Sequence, residues 1–82
     1  MIPVKVTQAL EAERVAQDVK WGVQNHHPSR WTEIIVEELG EACEARLNGR
    51  MEDYRHEMIQ AAASVIAAIE CLDRLIEERD AR

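Results

Sequence analysis

The chain has few of the residues that break helices or cross-link small folds. Among its 82 residues are three glycines, two prolines, two cysteines, two tryptophans, one tyrosine and no phenylalanine. The shortage of glycine and proline, and the absence of alternating polar and apolar residues, exclude a sheet-rich fold. Two cysteines cannot form a disulfide framework. Because Cys43 and Cys71 both lie within helical patterns, we expect buried, reduced thiols in a cytoplasmic protein.

Long apolar runs and excess positive charge are also missing. The longest largely apolar run, residues 61–69, includes Ser64, ends at Glu70 and is far shorter than the ~20 residues of a transmembrane helix. Sixteen acidic residues outnumber ten basic ones, which gives a net charge of −6. We therefore expect neither a membrane nor a nucleic-acid partner, because nucleic-acid binding usually requires a basic patch. A small phosphorylated ligand remains compatible with this negative charge, since a cation can bridge carboxylates and phosphates.

Hydrophobic periodicity predicts three helices in a single domain spanning residues 1–82. The first helix covers residues 7 to 19 or 20, with Thr7 as its N-cap, and a loop follows over residues 21–30. The second begins between residues 29 and 32 and ends at Asn48-Gly49, a pair typical of a left-handed helix stop. The third begins at residue 51 or 52 and continues to about residue 79.

The third predicted helix is too long and too apolar for an isolated small domain. Some 28 residues span about 40 Å, which is more than a compact chain of this length needs. Between Met58 and Ile69 the helix is apolar on nearly every side, so it should be buried on nearly every side. We therefore predict an all-α, antiparallel helical bundle of three main helices per chain, completed by homo-oligomerisation as a dimer or a tetramer.

An acidic run on the second predicted helix lies partly on its apolar side. The run covers residues 37–41, with the sequence EELGE. On a helical wheel Glu38 and Glu41 flank the direction of Ile34, whereas Glu37 points toward water. Burying two carboxylates costs several kcal/mol unless they are protonated, paired with arginine or bound to a metal. The neutralising partner of these acids therefore decides between very different functions.

The short Asn-Gly turn makes the second and third helices antiparallel neighbours. Their facing sides should bring together oxygen-bearing side chains: Glu38, Glu41, Glu57, Gln60 and, one turn earlier, Asp53. Oxygen ligands without a convergent histidine or cysteine suit a hard cation such as Mg²⁺ or Mn²⁺. An arginine-compensated network and a solvated acidic face are the alternatives that spacing alone leaves open.

At these residues the chain resembles the MazG-like, all-α nucleoside triphosphate pyrophosphohydrolases, a superfamily that also includes the dimeric dUTPases and phosphoribosyl-ATP pyrophosphatase. The family signature is EExxE followed by ExxD. Residues 37–41 match its first half, and its second half falls on residues 57–60, with the sequence EMIQ. The likeness extends from about residue 13 to residue 72 and includes Lys20-Trp21-Gly22. A literal ExxD at residues 70–73 lies on the opposite helix face from Glu57 and does not fit.

The resemblance implies a ligand set and a reaction. Glu38, Glu41 and Glu57 would hold Mg²⁺, and Gln60 would stand in the place of the fourth acidic ligand. A nucleoside triphosphate would be cleaved between its α and β phosphates, yielding a monophosphate and pyrophosphate, with the attacking water held by Glu37 or Glu41. Gln60 departs from the pattern because an amide adds no charge and cannot act as a base.

Several other residues admit two interpretations. Lys20 could contact a substrate phosphate or simply stabilise a helix C-terminus. Trp21 and Trp31 could stack on a base, but anchoring the core is the favoured role in a chain without phenylalanine. Adjacent His26 and His27 fit a solvated loop better than a metal pair. Lys20, Trp21, Gln60 and Asp53 are the predicted substrate-binding residues, although Asp53 could instead pair with Arg50 at the surface.

The sequence thus supports three hypotheses. The first is a Mg²⁺-dependent nucleotide pyrophosphohydrolase. The second is a catalytically inactive helical oligomer that binds a nucleotide or a protein, with Gln60 as the mark of lost activity. The third is a purely structural oligomerising bundle.

Overall fold

A computed structural model describes all 82 residues and contains three helices and no strand: α1 (Val4–Trp21), α2 (Pro28–Leu47) and α3 (Met51–Asp80). The predicted all-α class and the number of helices are confirmed. None of the three helices has the length and apolar character needed to cross a membrane.

The start of α1 differs from the prediction. The helix begins at Val4, and Thr7 is not its N-cap. Pro3 precedes the helix with φ −58°, and its carbonyl accepts hydrogen bonds from the amides of Val6 and Thr7 at 3.0 and 3.2 Å. The Thr7 hydroxyl donates back to the Val4 carbonyl at 3.0 Å. The restricted φ of proline therefore starts this helix without a side-chain cap.

The connection between α1 and α2 is shorter than the predicted loop of residues 21–30. Trp21 is the last residue of α1, and Gly22 ends the helix at φ +72°, which favours glycine. His27 is the N-cap of α2, where its ring Nδ1 accepts from the Ser29 amide at 3.1 Å. Pro28 occupies the first helical position, where a missing amide hydrogen costs nothing.

The predicted stop at Asn48-Gly49 is confirmed. Gly49 lies at φ +70°, and the Asn48 side chain donates to the Glu44 carbonyl at 3.0 Å. This tight turn places α3 antiparallel to α2. α3 packs against both other helices, whereas no Cα atoms of α1 and α2 approach within 8 Å. The space left between α1 and α2 is therefore a cleft with α3 as its floor.

The core between the helices is small and consists mostly of small side chains. Eight residues are buried: Trp31, Ala42, Ala45, Ala61, Ala63, Ser64, Ala67 and Cys71. The alanines allow close approach of the helices, and Trp31 is the one large side chain among the eight. Core anchoring is therefore confirmed for Trp31 and wrong for Trp21, which is 61% exposed. Burial is likewise confirmed for Cys71 and wrong for Cys43.

The single chain is elongated and leaves much apolar surface uncovered. Its radius of gyration is 14.2 Å, against about 12 Å for a compact domain of this length. On α3, Met58, Val65 and Ile69 lie within the segment expected to be buried on every side, yet all three are exposed in the isolated chain. The other two helices of the same chain therefore cover only part of α3.

Candidate functional site

The cleft between α1 and α2 contains most of the predicted site residues. It encloses about 620 Å³, and its walls and floor include Lys20, Trp21, Glu37, Glu38, Glu41 and Gln60. These six residues come from all three helices, so they converge only when the chain is folded. Asp53 does not line the cleft. Its exposed carboxylate pairs with Arg50 at 3.2 Å, so the surface pair is confirmed and the fold does not bring Asp53 to the other predicted site residues.

Glu38 is an acidic residue that the fold partly shields from water at this site. Its carboxyl group has a raised pKa, first because burial disfavours the charged form and then because the charges of Glu41, Glu57 and Glu13 repel it. The buried Ser64 hydroxyl opposes this shift by hydrogen bonding to the carboxylate. Glu38 therefore carries its charge at a free-energy cost that a nearby cation would remove.

Glu41 and Glu57 form a second close contact between α2 and α3. The pKa of Glu41 is raised by desolvation, by a hydrogen bond shared with Glu57, and by the charges of Glu57 and Glu44. Glu57 is half-buried between the helices rather than on the cleft wall. Two ionised carboxylates can only accept hydrogen bonds. A shared proton, a cation or a bridging water is therefore needed to satisfy both side chains.

No cation of the protein neutralises this group. None of the acids at the site, which are Glu13, Glu37, Glu38, Glu41 and Glu57, takes part in any of the six ion pairs. Two buried carboxylate oxygens, Oε1 of Glu38 and Oε2 of Glu57, have no hydrogen-bond partner at all. The arginine-compensated network that the sequence left open is therefore absent.

The carboxylates are close enough to repel one another but are not arranged as a finished metal site. No three side chains of His, Cys, Asp or Glu converge closely enough to hold one ion. Glu38 and Glu57 are half-buried, and Glu41 is exposed. Rotation of these long, unpaired side chains is needed before one cation could contact all three.

Gln60 lines the cleft on the floor helix, as the spacing predicts. Its amide lies 3.2 Å from the ring Nε2 of His56, one turn earlier on α3. The neutral side chain is thus held locally by a neighbour and adds no charge to the acidic group.

The other end of the cleft is basic and aromatic. Lys20 Nζ lies 4.7 Å from the centre of the Trp21 ring, a cation–π contact that fixes the two side chains together. Arg30 stands on the opposite wall and pairs with Glu33 at 3.2 Å, but both side chains are more than half exposed and free to move. The cleft is therefore polarised, with acids at one end and Lys20, Trp21 and Arg30 at the other.

The loop beside the basic end is anchored more firmly than a solvated loop would be. His26 is half-buried and packs edge-on against Trp31, with ring centres 4.9 Å apart. Arg74 of α3 donates to the Asn25 side chain at 3.0 and 3.2 Å and to the Gln24 carbonyl at 3.1 Å. The prediction of a solvated loop is therefore wrong for His26, which packs on the core, whereas His27 is exposed and caps α2.

Sequence reasoning missed two features of this region. Glu13 is half-buried on the α1 wall and adds its charge to Glu38, and Gln17 donates to Ser64 Oγ at 3.3 Å. Glu13, Gln17 and Lys20 recur at steps of four and three residues, so the helical period could have placed them on one face. The ion pair of Arg14 with Glu70, which ties α1 to α3, has no comparable local signal.

In the comparison with known proteins, no protein-family model, curated protein or solved structure matches the chain.

Proposed function

We propose that the protein is a Mg²⁺-dependent nucleotide pyrophosphohydrolase, which converts a nucleoside or deoxynucleoside triphosphate into the monophosphate and pyrophosphate. One observation carries this proposal: a polarised cleft is lined at one end by acids that no basic side chain neutralises. The MazG-like resemblance of residues 37–41 and 57–60 supports the reaction type.

The residues at the acidic end fit a hard divalent cation. Glu38, Glu41 and Glu57 offer only oxygen donors, which Mg²⁺ prefers and Mn²⁺ also accepts. The partnerless oxygens of Glu38 and Glu57 are buried acceptors that a cation would satisfy. When bound, the ion would neutralise charge on the phosphates and on the leaving pyrophosphate. These three residues are the proposed ligands.

The chain's own carboxylates would also activate water. Glu37 is exposed on the cleft wall, where it can hold a water molecule against the substrate. Glu41 has a raised pKa, which makes its ionised form a stronger base than an ordinary glutamate. Glu37 and Glu41 are therefore the proposed catalytic residues.

The length and polarity of the cleft orient the substrate. From Arg30 to Glu41 the α2 wall measures ~16 Å, which is long enough for a nucleotide whose phosphates point toward the acids. Lys20 would contact a phosphate, and the exposed ring of Trp21 would stack on the base. Gln60 on the floor lies beside the proposed phosphate site.

Gln60 also favours a second candidate function. Its neutral amide and its bond to His56 leave the acidic group one charge short of the family pattern, and the carboxylates are not yet arranged to chelate. A module that only binds a nucleotide or a partner protein would require neither the fourth charge nor a complete metal site.

The proposal includes homo-oligomerisation and a cytoplasmic location. The isolated chain buries only eight residues and leaves one side of α3 uncovered, so a second copy would supply missing burial. The paucity of cysteine suits a reducing compartment.

The test is release of pyrophosphate and monophosphate from a panel of nucleoside and deoxynucleoside triphosphates with Mg²⁺. We expect turnover that EDTA abolishes and that Glu38→Gln lowers about 100-fold or more. Glu11→Gln, at an exposed position of α1 outside the cleft, is the matched control and should act like the unaltered chain. Absence of hydrolysis combined with nucleotide binding would select the second function, and absence of both would select a structural role.

A further inference from the structure

The exposed apolar side chains of α3 form a continuous stripe rather than a scatter. Steps of four and three residues alternate along it, as in the contact line of a coiled coil. We call this stripe the α3 seam: Met58, Ala62, Val65, Ile69, Leu72 and Ile76. All six side chains are exposed, and the five large ones keep between 37% and 52% of their surface accessible. The seam faces away from α1, whose contacts with α3 include the Arg14–Glu70 and Gln17–Ser64 pairs.

The seam continues onto neighbouring surface of the same character. An apolar groove of about 190 Å³ runs beside Val65, Ile69 and Leu72 and is walled by Thr32 and Ile35 of α2. Met51 extends the seam by two further steps at its N-terminal end. With Leu39 of α2 included, the exposed apolar area is on the order of 600 Å² per copy, approaching the ~800 Å² per partner of a standard interface.

Two charged residues at the edge of the seam indicate which molecule packs against it and in which orientation. Arg55 and Asp73 lie on the same edge, 18 residues and therefore five full turns apart. The two groups are separated by ~27 Å along the helix, so they cannot pair within one chain. Both are exposed, and neither belongs to any ion pair. A second copy running in the opposite direction would offer each of them its opposite charge.

We propose that two copies of this chain pack their α3 seams together antiparallel, about a twofold axis that passes between Ala62 and Val65. In this register Met58 lies against the partner's Ile69, and Ala62 against the partner's Val65. The small Ala62 allows the helices to approach closely at the axis. Arg55 comes beside the partner's Asp73, and symmetry forms that pair twice. A parallel arrangement would instead put Arg55 and Asp73 on opposite edges from their copies, leave both without a partner of opposite charge, and align the helix dipoles unfavourably.

This inference deepens the homo-oligomerisation included in the proposed function but does not depend on the proposed catalysis, because no seam residue lines the cleft. Its failure and the failure of the enzymatic proposal are therefore separable: assembly is measured without substrate or metal.

The experiment measures the mass of the full chain by sedimentation equilibrium and its helicity by circular dichroism. We expect the unaltered chain to have twice its monomer mass of 9.4 kDa. Ile69→Glu would bury a charge in the interface and weaken dimerisation about 100-fold or more. Val15→Glu is the matched control, because Val15 is 58% exposed on α1, and it should leave the dimer intact.

Exchanging the charges of Arg55 and Asp73 then tests whether the two α3 helices are antiparallel. Arg55→Asp and Asp73→Arg alone should each weaken the dimer roughly 10-fold, because each replaces two attractions with two repulsions. The double variant should restore it. A monomeric unaltered chain, an assembly insensitive to Ile69→Glu, or equal dissociation by Val15→Glu would overturn the seam as the interface. An intact single-charge variant, or a double variant that stays dissociated, would overturn the antiparallel pairing.

Discussion

Glu41 on α2 and Glu57 on α3 meet across the boundary between two helices with no basic side chain between them. The contact raises the pKa of Glu41, so the folded chain binds a proton there more tightly than the unfolded chain does. Stability from this proton is fully present below the ordinary glutamate pKa and is lost as the pH rises through the raised value. At neutral pH without metal, the contact therefore opposes folding.

The first prediction concerns removal of the repulsion between Glu41 and Glu57. Glu41→Gln should raise the melting temperature at pH 7 by about 2–4 °C in EDTA, because it removes a repulsion and supplies an amide donor to Glu57. The gain should shrink as the pH falls toward 4, where Glu41 of the unaltered chain becomes protonated. Thermal denaturation between pH 4 and pH 8 measures both effects.

Glu11→Gln removes an exposed charge from α1 and serves as the comparison. It should shift the melting temperature by less than about 1 °C and without this pH trend. A lower melting temperature for Glu41→Gln at pH 7 would contradict the assignment, since it would mean that the ionised carboxylate stabilises the fold.

The second prediction concerns stabilisation of the fold by Mg²⁺, which would replace the proton at the acidic group. Saturating Mg²⁺ should raise the melting temperature at pH 7, by about 10–20 °C at a concentration one hundred times the dissociation constant. The response should be smaller at pH 5, where protons compete for the carboxylates. Differential scanning fluorimetry with and without Mg²⁺ measures it.

Glu57→Gln should abolish most of this Mg²⁺ response, because it removes one proposed ligand. Glu52→Gln, an exposed acid in the first turn of the same helix, should retain it. Equal responses in the two variants would show that Mg²⁺ acts through general surface charge.

The third prediction separates the two tryptophans. Trp31→Ala should cost about 3–5 kcal/mol of unfolding free energy, because Trp31 is 5% exposed and supports Ala67 and Cys71. Trp21→Ala should change stability by less than about 0.5 kcal/mol, since that ring projects into the open cleft. If Trp21 stacks on the base, the same variant should raise KM about 5- to 100-fold. Urea denaturation and steady-state kinetics together distinguish a core residue from a binding residue.

The contrast between Trp21 and Trp31 shows how far the sequence could predict the structure. The helices and the Gly49 stop follow from local periodicity and turn chemistry, so they were predictable. Which tryptophan is buried depends on how α1 and α2 meet α3, and both residues border the same loop. Local sequence carries no signal of that tertiary choice.

The acidic site was predictable in part for the same reason. Glu38, Glu41 and Gln60 could be placed from the period of antiparallel helices. The similar wheel angle of Asp53 predicts that it joins them, but Asp53 lies near the start of α3, where it forms an ion pair with Arg50. Glu13 was missed because its contact with Glu38 joins α1 to α2 across the cleft, and no sequence spacing encodes that distance.

The last prediction tests whether Gln60 limits catalysis. Gln60→Asp should raise turnover several-fold, because it adds a charged oxygen ligand beside Glu38 and Glu57 and keeps a hydrogen-bond acceptor for His56. Glu41→Gln should lower turnover about 100-fold or more, through loss of a ligand and a base. Pyrophosphate release at saturating Mg²⁺ measures both. Gln8→Asp, an equivalent charge change at an exposed position of α1, should leave the rate unchanged and so exclude an effect of net charge. If the rate responds to neither Gln60 nor Glu41, the acidic end of the cleft is not where the phosphates react.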